Sequence, residues 1–180
     1  MLGKMRTIFD SRRVLVVSAI VYTASQIAIG LILLPLGPAR VLELQTSVSP
    51  EFISSVLGDW RAAGTLRIFI NHFYLDFFHP LFYGALLLAL MARLLNEEKA
   101  PSRWNWLLLA PVLAAAMDLC ENILYVAFIA DGTNITGLTS ALSGCASITK
   151  WALSGISIAI IVALFVKRMI GRGERGGVNY

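Results

Sequence analysis

Long apolar runs and short polar segments alternate along the chain. The runs cover about residues 14–36, 68–91, 105–130 and 150–166. A helix needs ~20 mostly apolar residues to cross ~30 Å of hydrocarbon. The pattern therefore predicts an all-α membrane protein, a four-transmembrane-helix bundle that forms one domain over residues 1–170. The Gly-rich residues 171–180 are predicted to form a disordered tail.

The polar segment between the first two runs contains the pattern of one short helix. Ser49 and Pro50 are a typical N-cap and first-turn pair, and Gly64 is a typical C-terminal stop. Between them, apolar residues recur on one helical stripe: Phe52, Ile53, Val56, Leu57 and Trp60. We predict an amphipathic helix over about residues 50–63 at the membrane surface, either an interfacial anchor or a lid over a site below it.

The composition narrows the class of partner. The chain is 57% hydrophobic and only 14% charged. Its net charge of +4 is compatible with nucleic-acid binding, but the Lys and Arg residues flank the apolar runs. The lipid bilayer, and not nucleic acid, is therefore the predicted partner. Cys120 and Cys145 lack C-x-x-C spacing, which argues against the four-helix thiol–quinone oxidoreductases.

The basic residues are distributed unevenly between the two predicted sides of the membrane. Most of them lie in the N-terminal segment, between the second and third runs, and after the fourth run: Lys4, Arg6, Arg12, Arg13, Arg93, Lys99, Arg103, Lys167, Arg168, Arg172 and Arg175. The other two connecting segments hold Arg40, Arg61, Arg67 and Lys150. The positive-inside rule predicts a multi-pass protein of the cell membrane (inner or plasma membrane) with both termini in the cytoplasm.

Polar and titratable residues recur at helical spacing inside the second and third runs. On each predicted helix they share one face: His72, Asp76, His79 and Tyr83 on the second, and Asp118, Glu121, Asn122 and Tyr125 on the third. Counting about 1.5 Å per residue along two antiparallel helices places Asp76 level with Glu121 and His72 level with Tyr125. Gln26 on the first helix and Ser157 on the fourth fall near the same depth. The sequence therefore predicts one intramembrane binding site.

The charges of this site point to a bound cation. An ionised carboxylate at the centre of a membrane helix costs ~3 kcal/mol, and the site holds three of them. No Lys or Arg is predicted at that depth, so either a carboxyl is protonated or a cation binds. His72, Asp76, His79, Asp118 and Glu121 are candidate ligands for a divalent transition metal such as zinc, iron or manganese. The alternatives are a proton, an organic cation, or a hydrogen-bond network that serves only packing.

Two local features add expectations about helix geometry. Pro80 removes one backbone hydrogen bond, which gives either a tolerated kink or a bared carbonyl beside His79 that acts as a ligand. The segments Ala141-Leu-Ser-Gly144 and Ala152-Leu-Ser-Gly155 form a short repeat. Their small residues predict close packing of the fourth helix against a neighbour.

Two motifs carry a resemblance to a family. Asp76-x-x-x-Pro80-x-x-Tyr83-Gly84 and Asp118-x-x-Glu121-Asn122 resemble segments of uncharacterised bacterial four-helix integral membrane proteins, as does the outer segment around Ser49. The resemblance covers roughly residues 41–130 and implies a fold but no activity. The four-helix fold of sterol isomerases and the sigma-2 receptor also places acidic residues in an intramembrane pocket, which is an analogy of architecture alone.

Three functions fit these patterns. The first is a protein that binds or transports a cation, metal ion, proton or cationic amphiphile, because the predicted site has an acidic excess. The second is a lipid-modifying enzyme in which His72 or His79 acts as a general base. The third is a structural subunit whose polar face contacts a partner in a membrane complex. The oligomeric state is left open.

Overall fold

The apolar runs form helices in a computed structural model, which describes residues 1–176. Eight α-helices follow one another in that part of the chain, and it contains no strand: α1 (Leu2–Phe9), α2 (Arg12–Leu33), α3 (Pro38–Thr46), α4 (Pro50–Ala62), α5 (Leu66–Asp76), α6 (His79–Glu97), α7 (Leu109–Ala130) and α8 (Gly137–Gly176). Short 3₁₀ turns cover Leu34–Leu36, Ser102–Leu108 and Gly132–Asn134. Four segments of the described chain are long and apolar enough to cross a membrane: Arg12–Leu36, His79–Glu97, Ser102–Ala130 and Gly137–Ile170.

The fourth long helix begins thirteen residues before the predicted position. The Gly, Thr, Asn and Ser residues of positions 131–149 favour a loop, but most of them belong to α8. Thr136 and Thr139 cap its first turn, each accepting a hydrogen bond from the backbone N–H of the other. Residues 171–176 of the predicted tail continue α8, and residues 177–180 lie outside the described residues.

The second predicted helix is broken into α5 and α6. The break falls at Phe77 and Phe78, just before Pro80. Because proline has no N–H, the carbonyl four residues earlier, that of Asp76, has no helical donor. The side chain of Asn122 on α7 donates to this carbonyl at 3.1 Å. The predicted kink is therefore present, and the carbonyl that it frees is satisfied by a neighbouring helix.

The three basic segments meet at one end of the bundle. Arg6 on α1 donates hydrogen bonds to the carbonyls of Leu95 and Ala100, where α6 ends. Near the other end of the chain, Lys167 on α8 lies 3.0 Å from Glu98, and Arg168 pairs with Glu97. The N-terminal helix α1 was not predicted from the sequence. It ties the start of the chain to the connection between α6 and α7.

The opposite end of the bundle is covered by α3 and α4. Ser49 caps α4 as predicted, because its Oγ accepts from the Phe52 N–H at 3.2 Å. Gly64 follows α4 with a φ of 72°, the left-handed conformation that glycine adopts at low cost. The stripe of α4 is buried in an apolar cluster with α3, α5 and α7 that includes Leu44, Phe69 and Phe128.

The connection between α3 and α4 lies directly on α8. A Cβ added to Gly144 would stand 2.5 Å from the carbonyl oxygen of Ser47 and 2.8 Å from Val48. At Gly155, the equivalent position of the repeat, an added Cβ would meet nothing within 4 Å. Gly144 therefore permits a close approach of backbones, as predicted for the repeat, and Gly155 does not serve that purpose.

Candidate functional site

A buried lysine stands between the two acidic residues of α7. The Nζ of Lys150 donates a 2.7 Å hydrogen bond to Asp118 Oδ1, and it lies 2.7 Å from Glu121 Oε2 as an ion pair. The three residues are 7%, 4% and 0% exposed. The expectation that no Lys or Arg reaches this depth is therefore wrong. Because α8 starts early, Lys150 sits in mid-helix, about 20 Å from the start of α8 and not in a connecting loop.

A histidine and a third carboxylate lie on α5, next to Lys150 and its two acidic partners. His72 and Asp76 are 1% and 7% exposed, and His72 Nε2 lies 3.7 Å from Asp76 Oδ2. The other ring nitrogen, Nδ1, contacts the carbonyl oxygen of Phe69. A carbonyl only accepts, so Nδ1 carries the hydrogen and donates it. In a neutral ring Nε2 then carries a lone pair, and it faces the carboxyl group of Asp76.

His79 and Tyr83 belong to α6, on the other side of the helix break. His79 turns toward α2, where its Nδ1 lies 2.8 Å from Ser25 Oγ and its ring stacks on Tyr22 at 5.4 Å between centroids. The buried hydroxyl of Tyr83 makes no hydrogen bond of good geometry, and it faces Asp118. His79 therefore contacts α2, whereas His72 and Asp76 face each other on α5.

On the first long helix, the residue that contacts the predicted site is Ser25, one position before the predicted Gln26. Gln26 is exposed on α2 and does not lie with the other predicted site residues. Its neighbour Ser25 is buried and contacts His79. Ser25 shares the inner face of α2 with Ser18 and Ile29, which are the other buried residues of that helix. Their helical spacing is the signal that selects Ser25 over Gln26.

Asn122 and Tyr125 hold the surrounding helices together. Both are 1% exposed. Asn122 donates to the Asp76 carbonyl, and the Tyr125 hydroxyl donates to the Leu44 carbonyl at the end of α3. The predicted antiparallel register of the second and third helices is confirmed, because Asp76 meets Asn122 and Gly84 meets Ala115. From the first contact to the second, the residue number rises on α5 and α6 and falls on α7, as it does between antiparallel helices.

The ionisable side chains do not converge as metal ligands. In the described part of the chain, no group of three or more His, Cys, Asp or Glu side chains is placed to hold a metal ion. Two contacts explain why these side chains do not converge. Lys150 occupies the space between Asp118 and Glu121, and His79 contacts Ser25 on α2. The arrangement gives no support to the predicted metal site at His72, Asp76, His79, Asp118 and Glu121.

A separate groove lies on the outside of α5 and α7. It has a volume of about 450 Å³, and aromatic and aliphatic side chains line it, among them Phe73, Phe77 and Val126. No residue of the charged cluster lines this groove. An apolar groove of this kind on a membrane helix pair is suited to a lipid chain, and it offers a cationic headgroup no contact with the carboxylates.

Comparison with known proteins adds no further constraint on the chemistry. No protein-family model matches the chain, and no curated protein or solved structure is similar to it. The buried charged residues of α5, α7 and α8 form the group called the ion cluster below: His72, Asp76, Asp118, Glu121 and Lys150.

Proposed function

We propose that this protein is a multi-pass protein of the cell membrane whose ion cluster reversibly binds a proton. Among the cations considered, the proton is the one that the geometry supports best. One observation carries the proposal: His72 donates its Nδ1 hydrogen to the Phe69 carbonyl, while its Nε2 faces Asp76 across 3.7 Å.

The facing pair is repulsive unless it holds a proton. Without one, the Nε2 lone pair of His72 and the negative oxygen of Asp76 point at each other in a buried environment. A proton on either atom turns the contact into an attraction. The distance of 3.7 Å is too long for a direct hydrogen bond, so a bridging water or a small movement completes the contact.

The total charge of the ion cluster supports the same conclusion. Three carboxylates face one lysine ammonium, and each uncompensated charge at the centre of a membrane costs about 3 kcal/mol or more. The pair of Asp118 and Glu121 has one negative charge in excess over Lys150. The pair of His72 and Asp76 has one as well when His72 is neutral. A proton at the pair of His72 and Asp76 removes one of these two excess charges.

Two features support placing both chain termini in the cytoplasm. The basic segments meet at one end of the bundle, where Arg6 and Arg168 lie, and positive charge marks the cytoplasmic side. At the other end, α4 buries its apolar stripe on the bundle and turns exposed Glu51 and Asp59 outward. We assign α4 to the outer membrane surface, above the ion cluster.

The proposal is tested by locating the proton in the purified protein in lipid nanodiscs. Infrared absorption of protonated carboxyl groups and the ¹⁵N shifts of labelled histidine together detect a proton on either member of the pair. We expect one of these signals at neutral pH and its loss in Asp76→Asn. Asp59→Asn is the matched control, because that carboxylate is 71% exposed on α4 and should leave the signal unchanged.

The same measurements can also contradict the proposal. If all three carboxyl groups of the ion cluster are ionised and His72 is neutral between pH 5 and 8, which is the range over which histidine usually titrates, no proton is bound there. The ion cluster would then be a packing device, and the structural-subunit hypothesis would describe the protein better. A stoichiometric metal found by elemental analysis would favour the lipid-modifying enzyme or a metal-binding protein instead.

A further inference from the structure

Three serines on α8 form a polar row that ends at Lys150. Ser140, Ser143 and Ser147 recur at spacings of three and four residues, so they share one helix face with Lys150. Each of the three is 0% exposed. The row faces α7, where Ser143 lies beside Tyr125 and Ser147 beside Glu121. From Ser140 to Lys150 the row is about 15 Å long.

Within the described residues, the hydroxyl groups of this row make no hydrogen bond of good geometry, although Ser143 and Ser147 have Tyr125 and Glu121 as polar neighbours. A serine in a membrane helix usually donates to a carbonyl three or four residues earlier in its own helix. Ser18, Ser25 and Ser157 do so, with Leu15, Tyr22 and Leu153 as acceptors. The Oγ atoms of Ser140, Ser143 and Ser147 are buried without any such bond. Glu121 Oε1 is buried without a hydrogen bond as well, whereas Oε2 is held by Lys150.

Unpartnered hydroxyls are costly in the interior of a membrane protein, at about 1–3 kcal/mol each. Three in a row, next to a buried carboxylate, indicate a common hydrogen-bonding partner that both donates and accepts. Water has that property, and buried water typically makes about three hydrogen bonds to polar groups that are otherwise unsatisfied. A lipid chain or an apolar ligand offers none of these bonds.

We propose that water molecules fill the interface of α7 and α8 along Ser140, Ser143 and Ser147 and form a column that reaches the ion cluster. Its role rests on the proposed function, for which it supplies the route that a proton takes. The column is hydrogen-bonded to Glu121, and through Lys150 and Asp118 it is connected to the rest of the ion cluster.

The column leads to one end of the bundle only. Ser140 lies one turn inside the start of α8, and one turn further along the helix Gly144 contacts the connection between α3 and α4. On the other side of the ion cluster, the space between α6, α7 and α8 is filled by apolar side chains: Leu88, Met91, Ala92, Leu94, Leu95, Leu108 and Leu164. The ion cluster therefore exchanges protons with the end at which α3 and α4 lie.

Hydroxyl-radical footprinting of the intact protein in nanodiscs tests the water column directly. X-ray radiolysis of bound water oxidises a buried aromatic ring only where a water lies next to it. We expect oxidation of Tyr125, although it is only 1% exposed, and protection of Phe128, which is equally buried on the same helix in the apolar cluster. The variant with Ser140→Ala, Ser143→Ala and Ser147→Ala should lower Tyr125 oxidation about tenfold, the equivalent of roughly 1.4 kcal/mol in water occupancy.

The matched control is Ser157→Ala, which removes an equally buried serine whose hydroxyl is already bonded to Leu153. It should leave Tyr125 oxidation unchanged. If the triple variant melts at a lower temperature than the parent, the single variant Ser147→Ala replaces it in the comparison of Tyr125 oxidation. Protection of Tyr125 in the parent, or equal oxidation in the serine variants, would overturn the water column. Either result leaves the spectroscopic test of the proton untouched, so the two proposals fail separately.

Discussion

At the scale of single residues, Pro80 determines what the side chain of Asn122 on a neighbouring helix does. Its missing N–H frees the carbonyl of Asp76, and Asn122 supplies the replacement donor. The sequence left two outcomes open for Pro80, a tolerated kink or a freed carbonyl that acts as a ligand. The structure instead uses it to attach α5 to α7, next to the ion cluster. The missing helical hydrogen bond at Pro80 therefore explains why the polar residue Asn122 lies inside the bundle.

This pairing predicts a non-additive response to mutation. Asn122→Ala should lower the free energy of unfolding by about 0.6–1.7 kcal/mol, the range of membrane hydrogen bonds, because the Asp76 carbonyl loses its donor. In a Pro80→Ala background the loss should be smaller, since the N–H of residue 80 then bonds that carbonyl within a continuous helix. Unfolding in mixed detergent micelles measures the coupling energy of the cycle.

The control for this cycle is Asn134→Ala, which removes an asparagine that donates to the Ala127 carbonyl at the far end of α7. Its effect should add to that of Pro80→Ala, because the two sites share no partner. Additivity for Asn122 as well would mean that Pro80 and Asn122 act independently.

The individual residues of the site were predictable to the extent that helical spacing decides them. His72, Asp76, Asp118 and Glu121 are buried together because polar residues three or four apart share a face. Lys150 was missed because the start of α8 was placed too late, which turned a buried counter-ion into a loop residue. Ser25 was missed because Gln26 is larger and more polar, although Gln26 is on the exposed face.

At the scale of elements, α8 differs most from its prediction. Its first turns contain Gly, Ser and Thr, which are weak helix formers in water. In a membrane these same residues allow close helix packing, and the backbone has no alternative to internal hydrogen bonds. The contact of Gly144 with the connection between α3 and α4 uses this property.

The two glycines of the repeat should therefore respond differently to the same substitution. Gly144→Ala should destabilise the protein by roughly 1–3 kcal/mol, because its Cβ would overlap the Ser47 carbonyl and that backbone cannot move freely. Gly155→Ala should be neutral or stabilising by up to about 1 kcal/mol, because alanine favours a helix and the position is open. Thermal unfolding of both variants in the same detergent provides the comparison, and equal destabilisation would contradict it.

The elements themselves were predictable where the physical signal is local. Apolar runs specify the long helices, and Ser49 with Gly64 specifies both ends of α4. Two elements depend on longer-range contacts. The break between α5 and α6 needs Asn122 from another helix, and α1 is held at its place by Arg6, whose carbonyl partners lie about ninety residues away in the sequence.

At the scale of the whole molecule, the basic segments of the chain gather at one end of the bundle. Arg6, Lys167 and Arg168 meet Glu97, Glu98 and the carbonyls at the end of α6, while α3, α4 and the turn before α8 lie at the opposite end. The proposal that both termini lie in the cytoplasm rests on four candidate membrane spans and on the positive-inside rule.

Accessibility of single cysteines in intact cells checks this assignment. Thr133→Cys and Ser102→Cys place exposed thiols in turns at opposite ends of the bundle, with Cys120 and Cys145 first replaced by serine. We expect a membrane-impermeant maleimide to label position 133 in intact cells and position 102 only after permeabilisation. The reverse pattern would invert the topology and would place the water column on the cytoplasmic side.

The pairing of Lys150 with α7 also has a consequence for how the protein enters the membrane. Lys150 lies 32 residues after Asp118, and only a short turn separates α7 from α8. Alone, α8 carries one unpaired charge at mid-span and α7 carries two, and each charge disfavours insertion by about 2.5–3.5 kcal/mol. We therefore expect α7 and α8 to insert together as a hairpin, because pairing with Lys150 lowers this cost for both helices.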